Sequence, residues 1–500
     1  MENIDEDVKI SLAETERKHQ PIEGTFHWYI SEMHKQAMPL FVSALETYLG
    51  IFQENSEIFQ NFSKEVLNNY IQSFKTKLKE VSCDLNSFTL CLHIINSDMH
   101  KLREIIPSQK NFRVEDKFTE LYEFAMRHQV EIAMESLLST FIELLQNLNQ
   151  EIQDSELELP EKIDSPADSA AYNLMYAVIS AVMELQPLIE SSRYYLTSED
   201  TFASLIALHL VQFFKSVKQG LTVYSLRYPV PEGELSVVKE LKVSGSSIIG
   251  FLKLAITLED TGLPKLLHTI AETYSSLGIP RNEITQIVDK TAKPELLSVL
   301  KSAQEEILLI YIEFYGKAYS DYLKEYLNTD WKEEPIDVSE AITNIAVSLK
   351  DSRKELKTFF KGQKPSHQRV KRKRDKNTVE LEMERLFARK IKPVENVKFE
   401  LNSILGSIIK LTFKAFYEEL RCKKITNMQQ IQVDANFLGS CFEEMVVLED
   451  QGIISGYVQE VIYTAKCRCV APSELSKHVL ESIVESKKQQ LNIKPKDLTS

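Results

Sequence analysis

Apolar side chains recur at helical spacing along most of the chain. The clearest case is LNSILGSIIKLTFKAFYEEL at positions 401–420, whose apolar residues follow the i, i+3, i+4, i+7 spacing of one buried helix face: Leu401, Ile404, Leu405, Ile408, Ile409, Phe413, Phe416 and Leu420. Similar spacing marks further stretches at 41–74, 117–148, 174–189, 202–221 and 299–326. Strand-like alternation of apolar and polar residues is nearly absent. The pattern therefore predicts an all-α fold.

Breaks in this pattern divide the chain into bundles. They fall at 154–169, at 227–234, around 277–283 and in a basic stretch at 361–377 that lacks apolar periodicity. We expect consecutive antiparallel helical bundles laid end to end as an elongated rod. The predicted segments are a short acidic tail (1–22), an N-terminal bundle (23–153), an acidic linker (154–169), a middle bundle (170–290), a further bundle (291–360), a basic disordered loop (361–377), a C-terminal bundle (378–488) and a flexible tail (489–500).

Composition supports long helices with few turns. The 500 residues include only 14 glycines and 16 prolines, about half the usual share of these turn-forming residues. The formal net charge of −14 argues against binding of nucleic acid or anionic membranes through bulk charge, although local basic patches could still bind either. The opening MENIDEDVKI has no secretory pattern, and the uncharged stretches at 169–183 and 201–214 are shorter than the ~20 residues of a membrane span. We expect a soluble intracellular protein.

Motifs of catalysis and metal binding are missing from the sequence. It has no phosphate-binding loop, no GxGxxG after a strand, no HExxH and no GxSxG. His93 and His100 share a segment without a carboxylate placed to complete a metal site, and His209 is expected to be a core histidine. We therefore predict no catalytic, cofactor-binding or metal-binding residue, no cofactor and no enzymatic activity.

Six cysteines fit a reducing compartment. The only close pair lies in KCRC at 466–469, and its one-residue spacing is poor for zinc. We expect buried or inert thiols.

The basic run KRKR, Lys371–Arg374, has three functional readings: nuclear import, contact with nucleic acid, or contact with anionic lipid. No aromatic residue accompanies the basic residues between Lys361 and Asn377, although stacking on bases would need one. A solvated flexible loop is the favoured interpretation.

The stretch QQIQVDANFL, Gln429–Leu438, is rich in amides and predicts a helix. At about 100° per residue, one face is apolar and the other carries the amides. The apolar face holds Ile431, Ala435, Leu438, Phe442 and Met445, and the predicted solvent face holds Gln429, Gln432, Asn436 and Glu443. Asn427 is expected to cap the helix with Gln430.

Asp434 stands apart, because it projects about 60° from the centre of the apolar face, where a carboxylate needs a partner. We expect it to accept hydrogen bonds or to pair with a basic residue, with Lys423 and Arg421 as candidates.

Several of these segments resemble a known family. FELNSILGSIIKLTFKAFYEELR, MQQIQVDANFL and YTAKCRCVAPSELSKHVLESIV resemble the end of the vacuolar protein sorting-associated protein fifty-one family, the helical-rod subunit shared by the GARP and EARP tethering complexes. The matching motif residues are Gln429, Gln430, Gln432, Val433, Asp434, Arg468, Cys469 and Pro472. Stretches at 328–349 and 383–399 also resemble the family, and the resemblance covers about 299–484 and is fainter from about 190.

The resemblance implies a non-catalytic subunit of a multisubunit tether. Such complexes capture endosome-derived vesicles at the trans-Golgi network, or act at recycling endosomes. The implied partners are other tethering subunits, SNARE proteins and small GTPases, with peripheral contact to Golgi and endosome membranes and no nucleic acid. The alternatives are a subunit of exocyst or of the conserved oligomeric Golgi complex, or a helical adaptor that uses its basic segment for nuclear targeting or nucleic acid.

Family members usually begin with a coiled-coil arm that follows a SNARE-binding segment. This chain enters its helical pattern almost at once. It is expected to be either a fragment or a form with a shortened arm.

Overall fold

The computed structural model describes residues 22–52, 57–81, 84–106, 113–155, 166–195, 199–225, 244–276, 292–328, 335–361, 399–445 and 451–491. Within them the chain is helical, and its one β-type pairing is an isolated bridge between Ile425 and Cys469. The all-α class is thus confirmed. Several predicted features lie outside the described residues: most of the acidic linker, the basic run Lys371–Arg374 with nearly all of its loop, and the stretch at 383–398.

Sixteen α-helices lie in the described part of the chain. They are α1 (Phe26–Glu32), α2 (Met38–Ile51), α3 (Glu57–Glu80), α4 (Leu85–Ile105), α5 (Val114–Ser155), α6 (Pro166–Glu184), α7 (Gln186–Tyr195), α8 (Glu199–Ser225), α9 (Gly245–Thr257), α10 (Leu263–Ser276), α11 (Lys293–Tyr326), α12 (Glu340–Lys361), α13 (Leu401–Cys422), α14 (Met428–Met445), α15 (Gln451–Arg468) and α16 (Lys477–Gln490). Two π-helical turns, Met33–Ala37 and Leu258–Gly262, join α1 to α2 and α9 to α10.

Local chemistry sets several helix ends. The Asp84 carboxylate accepts a hydrogen bond from the Ser87 backbone N–H at 2.9 Å and so caps the start of α4. The apolar pattern predicted at 174–189 is divided at Leu185 into α6 and α7. Pro187, the second residue of α7, explains the break, because proline lacks the N–H that a continuing helix would need. No described helix has both the length and the apolar content to cross a bilayer.

The chain forms two compact units. Unit 1 comprises Met1–Asn147, Asp168–Gly220 and Ala255–Ser302, and unit 2 comprises Leu148–Ala167, Leu221–Leu254 and Ala303–Ser500. In unit 1, α4 packs against α1, α2 and α7, and its core is rich in phenylalanine. In unit 2, α14 packs against α12, α15 and α16, and α13 packs against α12 and α15. The finer segment boundaries given above stay a prediction.

Candidate functional site in the last helices

The stretch that carries the family resemblance lies at the centre of unit 2. All seven residues of 401–420 that follow Leu401 in the predicted apolar face are buried in α13. Phe413 of α13 meets Phe442 of α14 and Tyr457 of α15, with ring centroids 5.5 and 5.8 Å apart. Helices α12–α16, with the part of α11 after residue 302, are called the Asp434 bundle below.

Asp434 is the polar centre of this bundle and is fully buried. Its Oδ2 accepts hydrogen bonds from the Tyr326 hydroxyl at 2.7 Å and from Gln430 Nε2 at 3.1 Å. Its Oδ1 accepts one from the Ser339 backbone N–H at 2.9 Å. Gln430 Nε2 also donates to the Asp337 carbonyl at 3.1 Å. One carboxylate thereby holds α14 to the end of α11 and to the start of α12.

Burial controls the ionisation of this group. Loss of solvent raises the pKa of Asp434 to about 6, and the hydrogen bonds from Ser339, Tyr326 and Gln430 act in the opposite direction. Burial and the neighbouring carboxylate raise the pKa of Tyr326 well above its usual value. Tyr326 therefore stays a neutral donor while Asp434 titrates near neutral pH.

The prediction that Asp434 accepts hydrogen bonds is confirmed, but the expected basic partners are wrong. Lys423 Nζ donates instead to the Asn328 side chain at 2.5 Å and to the Lys324 carbonyl at 3.3 Å. The Arg421 guanidinium lies over the Tyr417 ring, 5.6 Å from its centroid. Both cations lie at the C-terminal end of α13, where Lys423 binds the end of α11 and Arg421 lies over a ring of its own helix, so the buried carboxylate takes neutral donors.

The start of α14 is capped by Asn427, as predicted. The Asn427 side chain accepts hydrogen bonds from the backbone N–H groups of Gln429 and Gln430, at 2.9 and 3.3 Å. The Gln430 side chain is directed into the bundle, where its Nε2 donates to Asp434 and to the Asp337 carbonyl.

The amide face of α14 is not the solvent face that the pattern predicts. Gln429 and Gln432 are only half-buried, yet both bind the segment that leads into α16. Gln429 Nε2 donates to Ser473 Oγ at 3.2 Å, and the Leu475 backbone N–H donates to Gln432 Oε1 at 2.9 Å. The two parts of the resembling motif, separated by about forty residues, therefore meet through the glutamines of one part.

The ends of α13 and α15 also lie side by side. Arg468 donates from Nη2 to the Arg421 carbonyl. The Ile425 backbone N–H donates to the Arg468 carbonyl at 3.4 Å, within the parallel bridge to Cys469. The Arg468–Cys469 pair of the motif thus joins the end of α15 to the end of α13 and the segment that follows it.

A buried lysine fixes α16. Lys488 Nζ lies 2.5 Å from Glu444 Oε1 and 3.0 Å from Ser440 Oγ, both on α14. On the same helix Lys487 pairs with Asp337 at 2.7 Å. These contacts hold α16 against α14 and against the segment before α12.

The other predicted side chains stay apart. His93 is half-buried and His100 exposed, while His209 is half-buried and so not the core residue that was expected. Burial lowers the pKa of both His93 and His209. Of the five described cysteines, Cys91 and Cys441 are buried, whereas Cys422 and Cys467 lie exposed near helix ends, and for these two the inertness of the thiol stays a prediction. Burial raises the pKa of the Cys441 thiol to about 12.

The sequence patterns missed a second polar centre, in unit 1. Asp98 of α4 is buried and accepts a hydrogen bond from the Tyr70 hydroxyl at 2.6 Å. His34 Nδ1, in the first π turn, lies 2.5 Å from its other oxygen. The signal was available in the sequence, because Asp98 stands three residues after Ile95 and four before Leu102 on the apolar face of α4.

Comparison with known proteins identifies relatives over most of the chain, although no family model matches it. A protein of Arabidopsis thaliana is 20% identical over 498 residues, which covers 91% of this chain and 61% of that protein. One of Dictyostelium discoideum is 22% identical and covers 92% of this chain and 54% of its own length. One of Xenopus tropicalis is 32% identical over 105 residues, 21% of this chain and 14% of that protein.

All three carry the name vacuolar protein sorting-associated protein 51 homolog, so the predicted resemblance is confirmed. The chain spans between about half and three fifths of the relatives that it matches along its length. Among solved structures, Saccharomyces cerevisiae Exo70 is 10% identical with a TM-score of 0.20, and covers 82% of this chain and 80% of its own. A score this low supports no inference.

Proposed function

From its similarity over nine tenths of its length to proteins named vacuolar protein sorting-associated protein 51 homolog, we propose that this chain is a subunit of a multisubunit vesicle-tethering complex. The proposed role is non-catalytic: helical surfaces hold partner subunits and engage SNARE proteins and small GTPases. The proposed route is retrograde transport from endosomes to the trans-Golgi network, together with endocytic recycling. The protein would reside in the cytosol and at the periphery of these membranes.

One structural observation supports this proposal. The motif residues that carry the resemblance are joined to one another: Gln432 accepts a hydrogen bond from the segment after Pro472, and Asp434 ties α14 to α11 and α12. Their chemistry is that of a bundle held in a fixed arrangement. A fixed helical surface is what a scaffold needs in order to present the same contacts to several partners.

Affinity purification with mass spectrometry tests the proposal directly. The tagged chain is expected to recover other tethering subunits together with Golgi or endosomal trafficking proteins. Subunits of exocyst or of the conserved oligomeric Golgi complex would assign the chain to that related tether instead. Recovery of no tethering subunit and no trafficking protein would refute the proposal.

A matched pair of variants makes the purification specific to the Asp434 bundle. Phe413→Asp places a charge in the buried aromatic cluster of α13 and is expected to lose partners that need the bundle. Gln459→Asp introduces the same side chain at an exposed position of α15 and is expected to keep them. Equal recovery by both variants would show that the bundle does not hold the partners.

A further inference from the structure

The corner at which α13 and α15 end concentrates basic side chains in an acidic chain. The segments RCKK at 421–424 and KCRCV at 466–470 lie side by side through the Ile425–Cys469 bridge and the bond from Arg468 to the Arg421 carbonyl. Together they carry no carboxylate and five cations, which we call the basic corner: Arg421, Lys423, Lys424, Lys466 and Arg468. The chain as a whole has a net charge of −14.

Part of this charge serves the fold. The C-terminal ends of three helices meet at the basic corner. They are the ends of α13 and α15, and the end of α11, whose Lys324 carbonyl binds Lys423. Each helix end carries about −0.5 charge, so three ends offset about one and a half cations. Glu474, 2.8 Å from Lys466, offsets one more. About two and a half positive charges remain. If Glu325 and Glu419, in the last turns of α11 and α13, are also counted as full negative charges, the net charge of the corner is still slightly positive.

Exposed apolar side chains accompany the cations. Val470, two residues beyond α15, is 87% exposed, and Tyr463, one turn before Lys466, is 64% exposed. Arg421, Lys424 and Lys466 are exposed as well. Tyrosine rings and lysine or arginine side chains are the residues that the interface between lipid headgroups and acyl chains accepts together.

We propose that the basic corner binds the surface of anionic lipid bilayers. Arg421, Lys424 and Lys466 contact the lipid phosphates and carboxylates, and Val470 enters the headgroup layer beside Tyr463. The exposed valine and tyrosine near the cations favour a bilayer, which offers anionic headgroups together with an apolar layer, over a purely acidic protein segment. The inference deepens the proposed function, since it names the surface that contacts the membrane. Its test stays separate, because the purified chain needs no partner subunit to bind a vesicle.

Vesicle co-sedimentation of the purified full chain tests the proposal. The chain is expected to bind vesicles of phosphatidylcholine with phosphatidylserine and not vesicles of phosphatidylcholine alone. The triple variant Arg421→Gln, Lys424→Gln, Lys466→Gln is expected to bind about 100-fold more weakly, since each basic residue at an anionic surface contributes roughly a fivefold factor. Val470→Ser is expected to weaken binding several-fold without changing its dependence on salt.

The matched control removes the same charge elsewhere. Lys215→Gln, Lys265→Gln, Lys354→Gln neutralises three exposed lysines on α8, α10 and α12, and is expected to bind like the parent chain. None of the six substituted residues is buried, and circular dichroism with thermal melting checks that both variants fold. An equal loss of vesicle binding in the two triple variants would overturn the proposal. So would binding of the parent chain to neutral vesicles that is as strong as its binding to anionic ones. Binding of the parent chain to polyglutamate but not to anionic vesicles would assign the corner to an acidic protein instead.

Discussion

Asp434 and Asp98 play the same physical role in different units. Each is a buried aspartate on an otherwise apolar helix face, and each accepts a hydrogen bond from a buried tyrosine hydroxyl, at 2.7 Å from Tyr326 and 2.6 Å from Tyr70. A shift of either helix along its neighbours would leave a carboxylate in the core without donors, at a cost of several kcal/mol. The two aspartates thus favour one helix register over competing apolar packings.

The pKa of Asp434 predicts a pH dependence of stability. The folded-state pKa of about 6 lies above the ordinary aspartate pKa of 3.8, so the folded chain binds more protons between these values. The contribution of Asp434 to stability is therefore fully present below about pH 4 and is lost as the pH rises through about 6. Between pH 4 and pH 7.5 we expect this one group to lower the free energy of unfolding by about 2–3 kcal/mol.

Asp434→Asn isolates this effect, because asparagine is uncharged throughout. Urea unfolding of parent and variant at pH 5 and pH 7.5 measures it: the parent should lose more stability with rising pH than the variant. Asp98, whose pKa is also raised by burial, is present in both proteins and cancels in the difference. The exposed Asp351→Asn is the control and should behave like the parent. Equal pH dependence in the parent and the Asp434→Asn variant would contradict the assignment.

At the scale of single residues, the sequence indicates that Asp434 needs a hydrogen-bond donor but does not identify the donor. The apolar pattern around Asp434 places a carboxylate near the core, and a buried carboxylate must be hydrogen-bonded. Its donor Tyr326 lies 108 positions earlier, and a helical period carries no information on contacts between helices so distant in sequence. Lys423 and Arg421 are near Asp434 along the chain, but they lie at the end of α13, where they bind the end of α11 and the Tyr417 ring instead.

At the scale of elements, glycine decides how closely α14 and α15 pack. A Cβ added at Gly439 would overlap Val458 Cγ2 of α15, whereas Gly456, on the exposed side of α15, has nothing within 4 Å of such an atom. Helix periodicity predicts α14 but gives no weight to its glycine, because glycine adds nothing to an apolar stripe. Periodicity also predicts the amide face of α14 but not its contacts, because the segment that covers Gln429 and Gln432 leads into α16, about forty residues later.

The two glycines provide a matched pair of substitutions. Gly439→Ala should force α14 and α15 apart and lower the free energy of unfolding by about 1–3 kcal/mol, the usual range for an overpacked core. Gly456→Ala should raise it by about 0.5–1 kcal/mol, because alanine loses less backbone entropy than glycine in a helix. Urea unfolding followed by circular dichroism measures both. Effects of the same sign would show that the contact at Gly439 does not limit the packing.

At the scale of the whole molecule, unit 2 is assembled from three separate stretches of chain. The stretch Leu221–Leu254 contributes the first ten residues of α9, of which Ile248, Phe251 and Leu252 are fully buried. Ser246 Oγ donates to Glu355 of α12 at 2.8 Å, and Gly245 lies so close to the Tyr315 ring of α11 that a Cβ would overlap it. The last helices therefore depend on residues far earlier in the sequence, which no local pattern indicates.

This dependence predicts that residues 292–500 expressed alone are less stable than the same residues in the full chain. Without α9, the surfaces of α11 and α12 that carry Tyr315 and Glu355 lose their cover, so hydrogen exchange in the peptides of α11 should accelerate relative to the full chain. Gly245→Leu in the full chain should reproduce a smaller, local acceleration at the same peptides by overpacking the contact. Addition of residues 1–291 as a separate fragment should restore protection, because it supplies α9. Exchange in the fragment that is as slow as in the full chain would show that the last helices are an independent folding unit, and α9 only an accessory to them.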